Sequence, residues 1–171
     1  MRSTTNLLAI AGLVIILGAA NFVIFDRQAV VESGRPVLLE LRPADPRSLM
    51  QGDYMVLRYH DRLFPTSGSD DDLPRTGAFV ISVDENNVAS FKRVDDGSEL
   101  GSNELLLKYK LRYEKGRIRL GAESYFFQEG NASLFNAARY GVLHVAQNGT
   151  SVLIGLADEN HQLIQPPERD E

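Results

Sequence analysis

Gly52-Asp53-Tyr54-Met55-Val56-Leu57-Arg58-Tyr59 reads as a tight turn followed by a strand. Gly accepts a left-handed backbone and Asp bonds its own chain, so the first two residues supply the turn. The β-favouring run behind them alternates. Met55, Leu57 and Tyr59 share one face, and Tyr54, Val56 and Arg58 share the other. The stretch is a half-buried strand, and it sets the expectation of a mainly β domain around it.

Working outward, residues 37–41 read as the first strand of that domain, and Pro43 and Pro46 make 42–51 an irregular crossing, because neither can donate to a ladder. Residues 60–76 have loop composition, with Pro65, Ser67-Gly68-Ser69 and Pro74. Asp70-Asp71-Asp72 in that loop lacks the ligand spacing of a calcium site and reads as a solvated acidic run. Residues 79–83 and 88–94 form a hairpin about Asp84-Glu85-Asn86-Asn87.

The clearest strand is 105–113. Leu105, Leu107, Tyr109, Leu111 and Tyr113 point inward, and Leu106, Lys108, Lys110 and Arg112 point outward. A two-residue turn at Lys115-Gly116 would set Tyr113 opposite Ile118, Leu111 opposite Leu120 and Arg112 opposite Arg119. Lys108, Lys110, Arg112 and Arg119 then make a basic face, a candidate contact for anionic headgroups, an acidic partner or a cell-envelope polymer. Farther on, 123–127 reads as an aromatic strand. Residues 132–139 read as one short helix capped by Asn131, followed by Gly141 and buried through Leu134, Phe135 and Ala138. A final hairpin turns at Asn148-Gly149. The polar end after Asp158 reads as a flexible tail.

Residues 7–25 are an unbroken apolar run, uncharged from Ser3 to Phe25. As a helix the run matches a bilayer core of ~30 Å and has no polar face. Arg2 and the terminal amine precede it and Asp26-Arg27 is neutral, so charge bias places the N-terminus in the cytoplasm and the domain outside. Gly18-Ala19-Ala20 would suit a signal peptidase, but Phe22-Val23-Ile24-Phe25 is better accommodated in an uncut anchor. Residues 26–36 are a juxtamembrane linker, either a short stalk or a continuation of the helix. The expected organisation is an anchor at 1–25, that linker, a domain at 37–158 and a tail at 159–171.

The octet carries the signature of the bacterial GDYXXLXY protein family at Gly52, Asp53, Tyr54, Leu57 and Tyr59. The chain also resembles that family in its lead-in, Leu41-Arg42-Pro43-Ala44-Asp45-Pro46-Arg47-Ser48-Leu49, and in a later block, Tyr125-Phe126-Phe127-Gln128-Glu129-Gly130. The resemblance implies a membrane segment with an outer domain and assigns no activity.

A more distant resemblance is to the signal peptidases, which use a serine nucleophile and a lysine base. Ser48-Leu49-Met50-Gln51-Gly52-Asp53, Phe91-Lys92-Arg93-Val94 and the stretch from Tyr125-Phe126 to Arg139-Tyr140-Gly141 follow their order. Lys92 takes the base position, but the nucleophile position falls near Ala44-Asp45, and Ser48 is at the wrong offset. A base without a nucleophile performs no acyl transfer.

Other chemistry finds little in the chain. Without cysteine there is no thiolate or disulfide chemistry. His60, His144 and His161 have no metal-ligand spacing, and neither a phosphate loop nor a nucleophile elbow is present. The net charge of −5 argues against nucleic acid. The expected protein is thus an N-terminal transmembrane helix followed by a curled antiparallel sheet or partly open β-barrel with one short helix. Its expected place is the bacterial cytoplasmic membrane, as a non-catalytic binding or assembly module without cofactor or metal. Its partners would be the bilayer and a membrane or cell-envelope protein, and the alternative is a Ser48/Lys92 peptidase.

Overall fold

The computed structural model describes residues 2–42, 54–65, 73–112 and 117–165. Helix α1 (Arg2–Ser33) leads into β1 (Arg35–Glu40), β2 (Tyr54–Val56), β3 (Thr76–Val83), β4 (Ala89–Val94), β5 (Glu104–Arg112), β6 (Arg117–Arg119), β7 (Ser124–Phe126), β8 (Tyr140–Val145) and β9 (Ser151–Ala157). Among the described residues 3-10 turns at Asp61–Leu63 and Ala132–Ala137 interrupt the series. All strand pairing between these elements is antiparallel, in sheets ordered β1-β8-β9, β2-β7 and β4-β3-β5-β6. Among the described residues the result is three antiparallel sheets and no closed barrel.

The hydrophobic alternation explains how they pack. Val37, Leu39, Leu143 and Leu156 of the first sheet, and Phe79, Ile81, Leu107 and Tyr109 of the third, meet in one buried cluster. Phe79 stacks on Tyr109 with ring centroids 4.2 Å apart and meets Phe91 edge-on at 5.3 Å. Phe135, from the second 3-10 turn, packs against Tyr125 and Phe127 at 5.1 and 5.2 Å. Such ring pairs add about 0.5–1.5 kcal/mol each beyond their burial.

The signature strand joins two of the sheets. Its first part pairs with β7, and the Leu57 amide donates to the Glu123 carbonyl at 2.8 Å. Its second part bridges from Tyr59 to Leu41, with Arg42 N–H donating to Arg58 and His60 N–H to Glu40. Met55, Leu57 and Tyr59 are buried on one side while Arg58 is exposed on the other, as the alternation requires.

Several local expectations are corrected. The β5–β6 register pairs Lys110 with Arg119, Leu111 with Ile118 and Arg112 with Arg117. It is displaced by two residues from a Lys115-Gly116 turn, which would need an unfavourable positive φ at a lysine. An even shift keeps every side chain on its face, so the basic side survives. The proposed facing of Tyr113 lies outside the described residues.

Leu134 is exposed, because a tight 3-10 turn carries only Phe135 and the following Ala138 into the core. Asn131 occupies the N-cap without a side-chain bond. Gly141 belongs to β8 opposite Leu39, so it does not end the helix. At the described ends of the stretch after His60, Leu63 and Leu73 are buried, and residues 66–72, with Asp70-Asp71-Asp72, lie outside the described residues.

Helix α1 resolves the choice left open for the polar stretch, since it continues through Ser33. Its segment Ile10–Ser33 is long and apolar enough to cross a membrane, with large side chains from Ile10 to Phe25 exposed. The helix stops where Gly34 donates to the Val30 carbonyl at 2.9 Å. A side chain at Gly34 would meet that carbonyl and the His144 Cβ. His144 Nδ1 lies 2.6 Å from the Val31 carbonyl, satisfying one of the acceptors a helix end leaves open. Val30 is buried where the helix rests on β8 and β9. After β9 the chain turns back: Leu163 bridges to Ala157, and Ile164 N–H donates to Leu156 at 2.8 Å.

Candidate functional site

Alternation along β5 fixes where the cations go. Tyr109 is pinned inward against Phe79, so Lys108 and Lys110 on either side of it are turned outward and exposed. Arg119 stands opposite Lys110 on β6. The tip of the β8–β9 hairpin approaches the same side: Lys108 N–H donates to the Gly149 carbonyl at 2.9 Å, and Lys108 Nζ to Thr150 Oγ1 at 3.1 Å. The approach is close enough that a Cβ on Gly149 would meet the Leu106 Cβ at 2.9 Å, and Gly149 is left-handed, with φ +79°.

Between these elements lies a groove of about 870 Å³ whose walls include Lys108, Lys110, Arg119, Thr150 and Ser151, together with Arg27 from the C-terminal part of α1. That volume falls in the ~300–1,000 Å³ range of small-ligand sites. Among the described residues four cations face two carboxylates, Asp95 and Glu123, and both carboxylates are engaged by backbone. Glu123 Oε1 accepts from Leu120 N–H at 2.6 Å and Gly121 N–H at 3.0 Å, and Asp95 Oδ1 accepts from Gly97 N–H at 3.0 Å.

Among the described residues none of the four groove cations makes an ion pair. Arg42, Arg62, Lys92 and Arg93 elsewhere all do. Lys110 and Arg119, directly opposed like charges, cost a few tenths of a kcal/mol in an empty groove. An anion between them would turn that repulsion into two attractions. In the same groove wall the Tyr109 hydroxyl is buried and unpartnered among the described residues, and burial pushes its pKa up.

Of the sequence-predicted basic face, the groove gathers Lys108, Lys110 and Arg119. Arg112 lies one step along, opposite Arg117, outside the lining. Arg27 was missed, because next to Asp26 it reads as half of a neutral pair. The available signal was Val30, three residues on, a spacing that puts an apolar anchor about one turn from the arginine on a continuing helix.

The signature residues play another part. Tyr59 is buried and donates its hydroxyl to the Ala122 carbonyl, with Gly141 close against its ring. Burial, reinforced by the nearby Glu123 charge, holds its pKa far above the ordinary value. Leu57 is core, and Tyr54 is half-buried with its ring 5.7 Å from Phe126. Gly52 and Asp53 lie outside the described residues. The described part of the octet therefore builds the core and the junction between sheets, outside the groove lining.

Of the peptidase pair the structure describes only the lysine. Ser48 lies outside the described residues, and Lys92 projects from β4 into an ion pair with Glu104, whose carboxyl is held below its usual range first by the Lys92 hydrogen bond. A lysine base works from a desolvated pocket, whereas the Lys92 side chain is 55% exposed. No group of three or more potential metal ligands occurs among the described residues.

No curated protein and no solved structure matches this chain. A family model described as GDYXXLXY protein matches residues 16–156, from within the apolar helix to the next-to-last residue of β9. That span takes in the signature strand, the groove elements and the helix joint together, and the chain belongs to the GDYXXLXY protein family.

Proposed function

We propose that the protein is a membrane-anchored binding or assembly module that displays its β domain outside the cytoplasm and holds an anionic group in the basic groove, with no covalent step of its own. The observation that carries this reading is the set of cations without an ion pair among the described residues, Arg27, Lys108, Lys110 and Arg119, around one groove of a chain whose net charge is −5. Solvated surface cations would be expected to scatter among the carboxylates, as Lys92 and Arg93 do. Burial of Val30 and the His144 contact fix the domain to the end of the apolar helix, which supports a module working at the membrane. Arg2 before the apolar run supports a cytoplasmic N-terminus.

The test compares the full chain with the triple reversal Lys108→Glu, Lys110→Glu, Arg112→Glu in partner recovery from detergent-solubilised membranes and in binding to a polyglutamate peptide. The parent retains acidic partners at low salt and releases them as salt rises, because exposed charges are screened over ~10 Å at 0.1 M. The reversal loses them. Ser48→Ala and Lys92→Met leave binding unchanged. Loss of processing of a substrate in Ser48→Ala, with its melting curve intact, overturns the reading in favour of a peptidase.

A further inference from the structure

We infer that the anionic group is the phosphate of an anionic lipid headgroup from the bilayer that α1 enters, seated among Arg27, Lys110 and Arg119 with the β8–β9 hairpin tip beside it. This rests on the membrane-anchored reading above and adds the depth at which the groove opens. The apolar run ends at Phe25, and at 1.5 Å per residue Arg27 follows it by only about 3 Å. A residue at that level stands among lipid headgroups, and Arg27 is itself part of the groove wall.

The chemistry of the walls fits a phosphodiester. Arg27 and Arg119 present planar donor forks suited to phosphate oxygens, and Lys110 adds a point charge. Thr150, already accepting from Lys108 Nζ, and Ser151 supply hydroxyls on the neighbouring strand and loop. The Lys108–Thr150 contact orders the hairpin tip without consuming a carboxylate. An acidic protein partner would need its own chain to enter at headgroup depth, whereas a lipid is already there at high local concentration. The joint at Gly34 and His144 ties the β domain to the end of the helix that carries Arg27.

The experiment is native mass spectrometry of the full chain released from neutral detergent. It is titrated with phosphatidylglycerol, phosphatidylcholine, soluble glycerol phosphate and a polyglutamate peptide. The parent retains one phosphatidylglycerol with at least tenfold preference over phosphatidylcholine. Lys110→Gln combined with Arg119→Gln removes two charges and abolishes the preference, since each cation near an anionic surface contributes about fivefold. Arg58→Glu changes the net charge equally but lies outside the groove, and it keeps the preference. A circular dichroism melt of each variant separates misfolding from lost binding.

Equal retention of the two lipids, or a preference that survives the double substitution, overturns the lipid assignment. Glycerol phosphate binding as tightly as the lipid identifies a soluble-anion site and also overturns it. Groove-dependent binding of polyglutamate without lipid leaves the binding-module reading standing and sinks only the lipid, while failure of every anion removes both.

Discussion

The Tyr59 hydroxyl donates to the Ala122 carbonyl inside the core, at the point where the signature strand passes from one sheet to another. Alternation alone placed its ring inward, since Met55, Leu57 and Tyr59 fall at even spacing. The hydroxyl's partner, 63 residues away, has no local signal. Tyr59→Phe leaves the Ala122 carbonyl unpaired, and the expected cost is about 1–3 kcal/mol. The pH dependence has a definite sign. The folded state raises the phenol pKa of Tyr59 by burial, and it raises those of Tyr109 and Tyr125 in the same way. Their contribution to stability is therefore complete below the ordinary tyrosine value near 10 and falls as pH rises past it. Urea unfolding at about pH 8 and about pH 10.5 should show the parent losing stability more steeply than Tyr59→Phe. Parallel losses in the two proteins would mean that Tyr59 does not report the buried environment.

At the scale of elements, three turns use one device. Asn87, Gly149 and His161 each take a left-handed conformation, at φ 62°, 79° and 63°. The residue three before each of them, Asp84, Ala146 or Asp158, closes the turn through its carbonyl. Asn-Gly at 148–149 suggests a two-residue turn with both residues left-handed. Only Gly149 adopts that conformation, in a three-residue loop with Thr150 N–H bonded to Asn148 Oδ1. The hairpin was legible from the dipeptide. Its turn type was not, because tertiary packing of Gly149 on Leu106 selects among turns that the sequence permits equally. The same limit explains the β5–β6 register: facing follows from a period of two, and that period is the same in registers two residues apart. Gly149→Ala should destabilise the domain by about 1–3 kcal/mol from backbone strain, with the Leu106 contact adding to it, whereas Asn87→Gly should change stability by less than about 1 kcal/mol. Thermal melts of the two variants decide this, and a Gly149→Ala melt equal to the parent's would show that the hairpin tip does not rest on β5.

Across the whole molecule, the decisive feature is that α1 does not end where its apolar run ends. Residues 7–25 account for about 28 Å of helix, and 26–33 continue it for about 12 Å more until Gly34 halts it. Sequence reading found the apolar run by composition. It could not see that the polar continuation docks on β8 and β9, because that contact joins Val31 to His144, 113 residues away. The basic groove shares this history: its three sheet cations were visible as one face, and Arg27 entered only through the joint. Domain and helix should therefore move as one body. The natural chain has no cysteine, so Gln28→Cys and Glu129→Cys, both on exposed residues, can carry spin labels in a nanodisc-reconstituted protein. A single narrow distance distribution is expected. Gly34→Ala should broaden it, since the new methyl displaces either the Val30 carbonyl or His144. His144→Ala should broaden it less, for the loss of one hydrogen bond of about 0.5–1.5 kcal/mol. The sheet melting temperature should stay close to the parent's in His144→Ala, because the bond lost holds the helix end and not the core. A parent distribution already as broad as that of Gly34→Ala would show the domain swinging freely on its anchor, and Arg27 would then have no fixed place in the groove.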